Sequence, residues 1–167
     1  MKQEISSGVI VYRQTREGPK YLILYHGHGY WNFPKGKIED KEKTIATAFR
    51  ETKEETGLGG KDLKLIRNFK THEKFTFKKR GKEVFKTVVF YLAETGQKEV
   101  KISTREHQGY GWFLYHEGFK ILDKFKNSQK VLKVANDFIR KKSTRRRPAN
   151  SQGKDVVVQR SSSASGK

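Results

Sequence analysis

The sequence predicts an α/β protein with a mixed β-sheet and helices packed on it. The first observation is that runs of β-branched and aromatic residues occur on both sides of a central stretch whose apolar residues have helical spacing. The second is that two further helical stretches follow the last strand-like run. Strands that are interrupted by a helix and followed by terminal helices are typical of a mixed sheet.

The N-terminal third contains two predicted strands, a loop and a helix. The strand-like runs are Ile5–Arg13 and Tyr21–Tyr25, and the turn-forming residues 16–19 separate them. The segment His26–Gly36 is rich in glycine and aromatic residues, which predicts a loop. In Glu42–Thr56 apolar residues and threonines fall on one stripe, which predicts a helix.

Further strands and two helices are predicted in the rest of the chain. The strand-like runs are Leu63–Phe77, Val84–Leu92 and Gly111–Tyr115. The helical stretches are His116–Asp123 and Ser128–Lys141, and the second of them has its apolar residues on one side.

The chain is strongly basic, with 37 lysines and arginines against 18 aspartates and glutamates and a formal net charge of +19. Such an excess favours polyanionic partners such as nucleotides or nucleic acid, although a lysine-rich soluble protein has the same composition. Residues Lys78–Lys82 form a basic turn that would attract the distal phosphates of a long substrate or serve only as a solvated hairpin tip.

The 167 residues allow one domain with a short appendage. Residues 1–142 are predicted to form the domain, and residues 143–167, rich in serine and basic residues, to form a disordered tail. The absence of cysteine excludes disulfides, thiolate zinc sites and cysteine nucleophiles. No apolar stretch approaches membrane-spanning length, so we expect a cytoplasmic protein without membrane contact, or a nuclear one if the basic tail directs import.

Three glutamates, Glu51, Glu54 and Glu55, lie on one side of the predicted helix Glu42–Thr56. At about 100° per residue they share a sector roughly 100° wide. Their mutual repulsion destabilises a helix. The cluster is therefore typical either of a solvated acidic face paired with lysines or of a site for hard divalent cations such as Mg²⁺, which prefers oxygen ligands.

The spacing around these glutamates resembles the Nudix box. The box has fixed positions for Gly, Glu, Arg-Glu, Glu-Glu and Gly followed by an aliphatic residue, and the chain matches them with Gly36, Glu42, Arg50, Glu51, Glu54, Glu55, Gly57 and Leu58. Thr52 departs from the box, which has an aliphatic residue there. Its methyl group can pack on the buried side while its hydroxyl bonds to a helix carbonyl. The resemblance implies the Nudix α/β/α sandwich, with a mixed β-sheet between helices.

Within that family the chain resembles the asymmetric diadenosine tetraphosphate hydrolases, in which a threonine at the position of Thr52 is familiar. Four segments outside the box are similar to their first strand, the loop that enters the box, a later central strand and a Glu-His-Gln loop. These segments are Ser6–Arg13, Trp31–Gly36, Phe85–Glu94 and Arg105–Phe113. Nudix enzymes that remove pyrophosphate from RNA 5′ ends share much of this layout.

The resemblance implies a metal site for Mg²⁺, with Mn²⁺ as the alternative ion. Its ligands would be the carbonyl of Gly36 and the carboxylates of Glu51, Glu54, Glu55 and Glu106. One of these glutamates would activate the attacking water. Arg50 would orient a glutamate through a charge-assisted hydrogen bond, and His107 would support the loop that carries Glu106.

The resemblance also implies four substrate contacts. Lys35 and Lys86 would bind phosphate, and Phe77 and Phe125 would stack on the two faces of an adenine. Solvated surface lysines and rings packed in the core are the alternatives at these positions.

The implied reaction is Mg²⁺-dependent hydrolysis of a phosphoanhydride bond in a dinucleoside polyphosphate such as diadenosine tetraphosphate, which gives a mononucleotide and a nucleoside triphosphate. Removal of pyrophosphate from RNA 5′ ends by the same residues is the first alternative, and the basic turn and tail favour it. A Nudix-fold module that binds nucleotides or RNA without turnover is the second, and the intact set of carboxylates argues against it. The sequence leaves the oligomeric state open.

Overall fold

The structure, a computed structural model, describes residues 2–146. Within these residues the strands are β1 Lys2–Thr15, β2 Gly18–Gly27, β3 Tyr30–Asn32, β4 Lys35–Lys37, β5 Lys64–Leu65, β6 Thr71–Lys79, β7 Lys82–Glu94 and β8 Gly109–Leu114. The helices are α1 Thr44–Thr56, α2 Tyr115–Ile121 and α3 Lys126–Arg146. All the predicted helices are present, and the predicted strand Leu63–Phe77 is divided between β5 and β6.

One sheet contains all of these strands in the order β3-β2-β1-β7-β5, with β4 also paired to β1, β6 to β7 and β8 to β2. The strands β1 and β7 are parallel, with Lys2 opposite Val84 and Tyr12 opposite Glu94. The other strand pairs are antiparallel. A parallel central pair with antiparallel neighbours makes the sheet mixed, as the sequence predicts.

Helices cover both faces of this sheet because β1 is apolar on both sides. On one face Val9 and Val11 belong to a buried cluster with Ala48 of α1. On the other face Ile10 belongs to a buried cluster with Leu132 of α3. Successive side chains of a strand point to opposite faces, so the run Val9–Val11 joins the two layers of helices to the sheet. The predicted α/β/α sandwich is confirmed.

The prediction of a loop over His26–Gly36 was wrong, because this segment contains the short strands β3 and β4. In the pairing of β4 with β1, Gly8 lies opposite Lys35. A Cβ on Gly8 would collide with the carbonyl oxygen of Pro34 and with Lys35, so this close approach requires glycine. Strands of three residues are too short to show a periodicity, and the partner strand of β4 is distant in sequence.

Helix α3 extends beyond both ends of the predicted helix Ser128–Lys141. Its last turns include Ser143, whose hydroxyl donates a hydrogen bond to the carbonyl oxygen of Ile139 at 3.0 Å. Residues 147–167 of the predicted tail lie outside the described part of the chain, and the domain boundary at residue 142 stays a prediction. No helix within residues 2–146 is long and apolar enough to cross a membrane.

Candidate active site

Helix α1 carries the three clustered glutamates and is ended by Gly57. This glycine has a left-handed φ of 73°, and its N–H donates a hydrogen bond to the carbonyl oxygen of Lys53 at 2.8 Å. Thr52 is fully buried, and its hydroxyl donates to the carbonyl oxygen of Ala48 at 2.7 Å. Thr52 is therefore accommodated as predicted, and it leaves the acidic side of the helix unchanged.

Arg50 joins the loop before α1 to the carboxylates of the helix. Its Nε and Nη2 donate hydrogen bonds to the two carboxylate oxygens of Glu42 at 3.0 and 2.9 Å, and Nη2 also donates to the carbonyl oxygen of Lys37 at 3.0 Å. Its Nη1 donates to Glu51 at 2.8 Å and to Glu54 at 3.4 Å. These bonds, first of all those to Glu42, hold the pKa of Arg50 above its usual value. Arg50 therefore lies where it can orient two of the predicted metal ligands.

The contact between Glu42 and Arg50 makes the stability of the fold sensitive to acid. Hydrogen bonds from Arg50 and secondly from the hydroxyl of Thr47 lower the pKa of Glu42 from 4.5 to about 2. Because the pKa is depressed in the folded state, the carboxylate contributes its full stability above about pH 4.5 and loses it as the pH falls towards 2.

We therefore expect the melting temperature of the Glu42→Gln variant to lie below that of the wild type by a constant amount near neutral pH. The difference should shrink as the pH falls from 4.5 towards 2, because the wild-type carboxylate is then protonated as well. Thermal melts across this pH range, monitored by circular dichroism, measure the difference in melting temperature. A difference of undiminished size at the acid end would contradict the role given to Glu42.

The backbone of β4 brings Gly36 against Glu51. A Cβ on Gly36 would overlap the carboxylate of Glu51, so this contact also requires glycine. Burial raises the pKa of Glu51, and the neighbouring Glu55 and Glu54 raise it further, although Arg50 acts in the opposite direction. A partly buried carboxylate among other carboxylates is stabilised by a cation between them. The donor oxygens of this part of the site therefore fit a divalent ion.

Glu55 lies at the centre of the site and is buried. Its Oε2 accepts a hydrogen bond from the N–H of Lys35 at 3.1 Å and lies 3.5 Å from Nε2 of His107. One ligand atom from each of Glu55, Glu106 and His107 lies within 4.8 Å of the other two. The loop before β8 thus brings Glu106, which the sequence analysis placed in the metal site, to the carboxylates of α1.

Two histidine rings contact each other at the site, and that of His107 lies next to Glu55. The ring centroids of His26 and His107 are 4.4 Å apart. Within residues 2–146 no hydrogen-bond partner is found for Nε2 of His26 or for either ring nitrogen of His107. Burial, and secondly the neighbouring His107, lowers the pKa of His26 to about 4. His26 was not predicted as a site residue, since only the folding of β2 towards the loop of His107 brings the two rings together.

A cavity of about 400 Å³ opens between β3, β6 and the start of α3. Its lining includes Tyr30, Asn32, Glu73, Phe75, Phe125 and Ser128. The rings of Tyr30 and Phe125 meet edge to face with their centroids 5.0 Å apart. Glu73 is buried and accepts a hydrogen bond from the hydroxyl of Ser128 at 3.3 Å. The cavity therefore combines aromatic walls with a few buried polar groups, as is typical of sites for small ligands.

Lys35 and Lys86 connect this cavity to the carboxylates. Burial raises the pKa of Glu73, whereas the charges of Lys35 and Lys86 act in the opposite direction. Burial, and secondly the charge of Lys35, lowers the pKa of Lys86. Since the backbone of Lys35 also contacts Glu55, Lys35 joins the cavity to the acidic cluster. Lys86 lies opposite the cavity residue Phe75 in the ladder of β6 and β7. A bound anion would relieve the repulsion between the lysines.

Comparisons with known proteins agree with this geometry. The NUDIX domain matches residues 2–134. The chain belongs to the Nudix family. The assignment that the spacing of the box predicted is therefore confirmed.

The relatives of this Nudix chain include hydrolases of two kinds. The bis(5′-nucleosyl)-tetraphosphatase (asymmetrical) of Sus scrofa is 33% identical over 142 residues, which cover 79% of the chain and 92% of the relative. A C. elegans Ap4A hydrolase in a binary complex has a similar structure, with a TM-score of 0.71 and 26% identity over 83% of this chain and 98% of that one. An RNA pyrophosphohydrolase of Vibrio vulnificus is 38% identical over 66 residues, which cover 40% of the chain and 38% of the relative.

In this Nudix site Phe125 lines the cavity, whereas Phe77 lies outside its lining. Phe77 follows Phe75 on β6, and the centroids of the two rings are 6.2 Å apart. Because alternate residues of a strand share a face, both rings point to the same side of the sheet. The stacking pair of Phe77 and Phe125 stays a prediction, and Phe75 is a cavity ring that was not predicted from the sequence.

Proposed function

We propose that this Nudix hydrolase cleaves a phosphoanhydride bond of a dinucleoside polyphosphate such as diadenosine tetraphosphate, and releases a mononucleotide and a nucleoside triphosphate. The observation that carries the proposal is the path from the aromatic cavity, past Lys35 and Lys86, to the carboxylates around Glu55. A base in the cavity, phosphates beside the lysines and the scissile bond beside Glu55 fit a substrate of this shape. The likeness to the porcine tetraphosphatase supports it.

The proposed cofactor is Mg²⁺, with Mn²⁺ as the alternative. The groups that would hold it are the carbonyl of Gly36 and the carboxylates of Glu51, Glu54, Glu55 and Glu106. These hard oxygen donors suit either ion. When bound, a divalent ion neutralises the polyphosphate and lowers the pKa of the attacking water.

The side chains of the site position the substrate and accept a proton. Lys35 and Lys86 would hold the phosphates as counter-charges, which is the main task of a protein in phosphoryl transfer. Glu106 is exposed and lies beside Glu55, so its carboxylate can accept the proton of the attacking water. Arg50 would act as a positioning residue, because it keeps Glu51 in place through a bond of 2.8 Å.

Removing a stacking ring should raise KM more than it lowers kcat. A base that stacks on a ring is held similarly in the ground state and the transition state, so the ring contributes uniform binding. We expect Phe125→Ala and Phe75→Ala to raise KM for diadenosine tetraphosphate by about tenfold, corresponding to 1–3 kcal/mol of stacking energy. Steady-state kinetics on Phe77→Ala show whether Phe75 or Phe77 stacks on the base together with Phe125. Because Phe77 lies outside the cavity lining, its removal should change KM less than the removal of Phe75. Unchanged KM in all three variants would contradict base binding in this cavity.

The removal of pyrophosphate from RNA 5′ ends remains the second function to test. The match to an RNA pyrophosphohydrolase over residues that make up 40% of the chain favours it, as does the net charge of +19. To decide between the two functions, kcat/KM of the full chain is measured with Mg²⁺ for diadenosine tetraphosphate and for a 5′-triphosphorylated RNA. We expect the dinucleotide value to be at least about tenfold higher. A higher value for RNA would support the alternative, and no turnover of either substrate would support a binding module.

We further propose that the enzyme works in the cytoplasm. The reaction on free dinucleotides requires no other compartment, and the basic residues that follow α3 are the feature that would favour the nucleus instead. Microscopy of the fluorescently tagged full chain tests this, and nuclear accumulation would contradict it.

A further inference from the structure

A second concave surface lies at the other end of α3. It has a volume of about 650 Å³ and lies between the C-terminal turns of α3 and the segment that contains β5. We call it the α3 groove. Its basic lining residues are Lys64, Arg67, Lys141, Lys142 and Arg145.

The charge of the α3 groove is unbalanced. Its lining contains no carboxylate, and among residues 2–146 none of its five basic side chains lies within ion-pair distance of an acidic group. Cations at the end of α3 are favoured by the helix dipole, which accounts for Lys141, Lys142 and Arg145. The dipole does not account for Lys64 and Arg67, which come from another element and face the same space. Such convergence of cations is typical of a site for an anion.

The α3 groove is separate from the active site. Glu94 lies opposite Lys64 in the backbone ladder of β5 and β7, beside the groove and without an ion pair between the two side chains, whereas Lys86 lies at the active site on the same strand, β7. At about 3.3 Å per residue the two positions are roughly 26 Å apart. Along α3 the distance from Lys126, which also lines the cavity, to Lys141 is about 23 Å at 1.5 Å per residue. A base bound in the cavity therefore does not reach the groove.

The walls of the α3 groove are apolar between the cations. Leu65 is 38% exposed, and the ring of Phe138 lines the groove while it packs on Phe69 with centroids 5.2 Å apart. Unpaired bases contact apolar and aromatic groups, whereas a duplex presents mainly phosphates. A cleft with cations along it and an apolar floor thus fits a single strand better than a duplex.

From the α3 groove we infer that this protein has a second binding site, which takes the backbone and bases of a single-stranded nucleic acid independently of the hydrolytic site. The five cations neutralise phosphates, and Leu65 and Phe138 contact the bases. The site does not depend on the substrate proposed above.

The test measures by fluorescence anisotropy how tightly the full chain binds a fluorescein-labelled RNA. The RNA is unstructured, about 15 nucleotides long and has no 5′ phosphate. Such an RNA offers no phosphoanhydride bond to the hydrolytic site. The groove variant replaces all five basic residues of the α3 groove by glutamine. We expect its affinity at low salt to fall at least about tenfold. The magnitude of the slope of log K against log salt should fall by up to roughly 3.5, since each neutralised phosphate of a single strand contributes about 0.7.

The matched control removes the same charge from exposed lysines elsewhere, so that both variants have a net charge of +14 (19 − 5). Its substitutions to glutamine are at Lys43, Lys53, Lys98, Lys101 and Lys120. We expect the control to bind RNA within about threefold of the wild type, and both variants to keep their melting temperature and their hydrolysis of diadenosine tetraphosphate.

Equal losses of affinity in the groove variant and the control would overturn the inference, because binding would then follow net charge alone. An unchanged groove variant would overturn it as well. Binding of single-stranded DNA of the same sequence shows whether the 2′-hydroxyl contributes. The inference holds whether the site prefers RNA or binds both. Tighter binding of a duplex, or binding only to phosphatidylserine vesicles, would contradict a site for single strands.

Discussion

Replacing Glu55 by glutamine should lower kcat by roughly 10³-fold while the fold remains intact. The loss of one carboxylate of the metal site removes several kcal/mol of transition-state stabilisation, and about 4 kcal/mol corresponds to this factor. Glutamine retains an oxygen that can accept the hydrogen bond from the N–H of Lys35, now 3.1 Å from Oε2. It also removes a charge next to Glu51, so the melting temperature should stay the same or rise.

The measurement is kcat for diadenosine tetraphosphate over a titration with Mg²⁺. The exposed Glu99 provides the matched control, because Glu99→Gln makes the same chemical change outside the site and should leave kcat unchanged. A Glu55→Gln variant with wild-type activity across the titration would contradict the metal site. Unfolding of the variant, seen by circular dichroism, would show that Glu55 is needed for the structure instead.

Replacing Gly36 by alanine should lower kcat/KM by roughly 10²-fold. The added Cβ would overlap the carboxylate of Glu51, so the carboxylate has to move, and a misplacement of about 1 Å in an active site has a cost of this size. The change adds one methyl group and removes no charge, so its effect comes from the displaced carboxylate. Because Glu51 is a proposed metal ligand, Mn²⁺ binding measured by electron paramagnetic resonance should weaken together with the loss of activity.

Gly96→Ala is the control for this substitution, because no heavy atom lies within 4 Å of the Cβ it would add. It should leave activity and Mn²⁺ binding unchanged. Full activity in Gly36→Ala would mean that the contact between Gly36 and Glu51 has no part in holding the metal.

The acidic part of the site could be predicted from the sequence because it is local. Glu51, Glu54 and Glu55 lie on one turn and a half of α1, so the geometry of a helix fixes their relative positions. The hydrogen bond from Thr52 back to its own helix is local for the same reason. Likewise, β-branched runs such as Val9–Val11 predict central strands, because a strand buried on both faces has to be apolar throughout.

The rest of the site depends on contacts between distant parts of the chain. The strand β4 forms because Gly8 lets Pro34 and Lys35 approach β1, and nothing in the local composition of β4 indicates this. Phe75 and Phe77 share one face of β6, so the sequence does not distinguish the ring that enters the cavity from its neighbour. His26 reaches the site only through packing of its ring on a loop about 80 residues later in the chain.

The most direct test of the central claim is the identity of the products that the full chain forms from diadenosine tetraphosphate. Anion-exchange chromatography of the reaction with Mg²⁺ should show AMP and ATP in equal amounts, and the same reaction with EDTA should show neither. One base of the substrate lies in the cavity beside Phe125, so the polyphosphate is held unsymmetrically. Attack of water at one phosphorus then gives AMP and ATP in equal amounts. ADP as the sole product, or unchanged diadenosine tetraphosphate in the presence of Mg²⁺ and of Mn²⁺, would contradict the account.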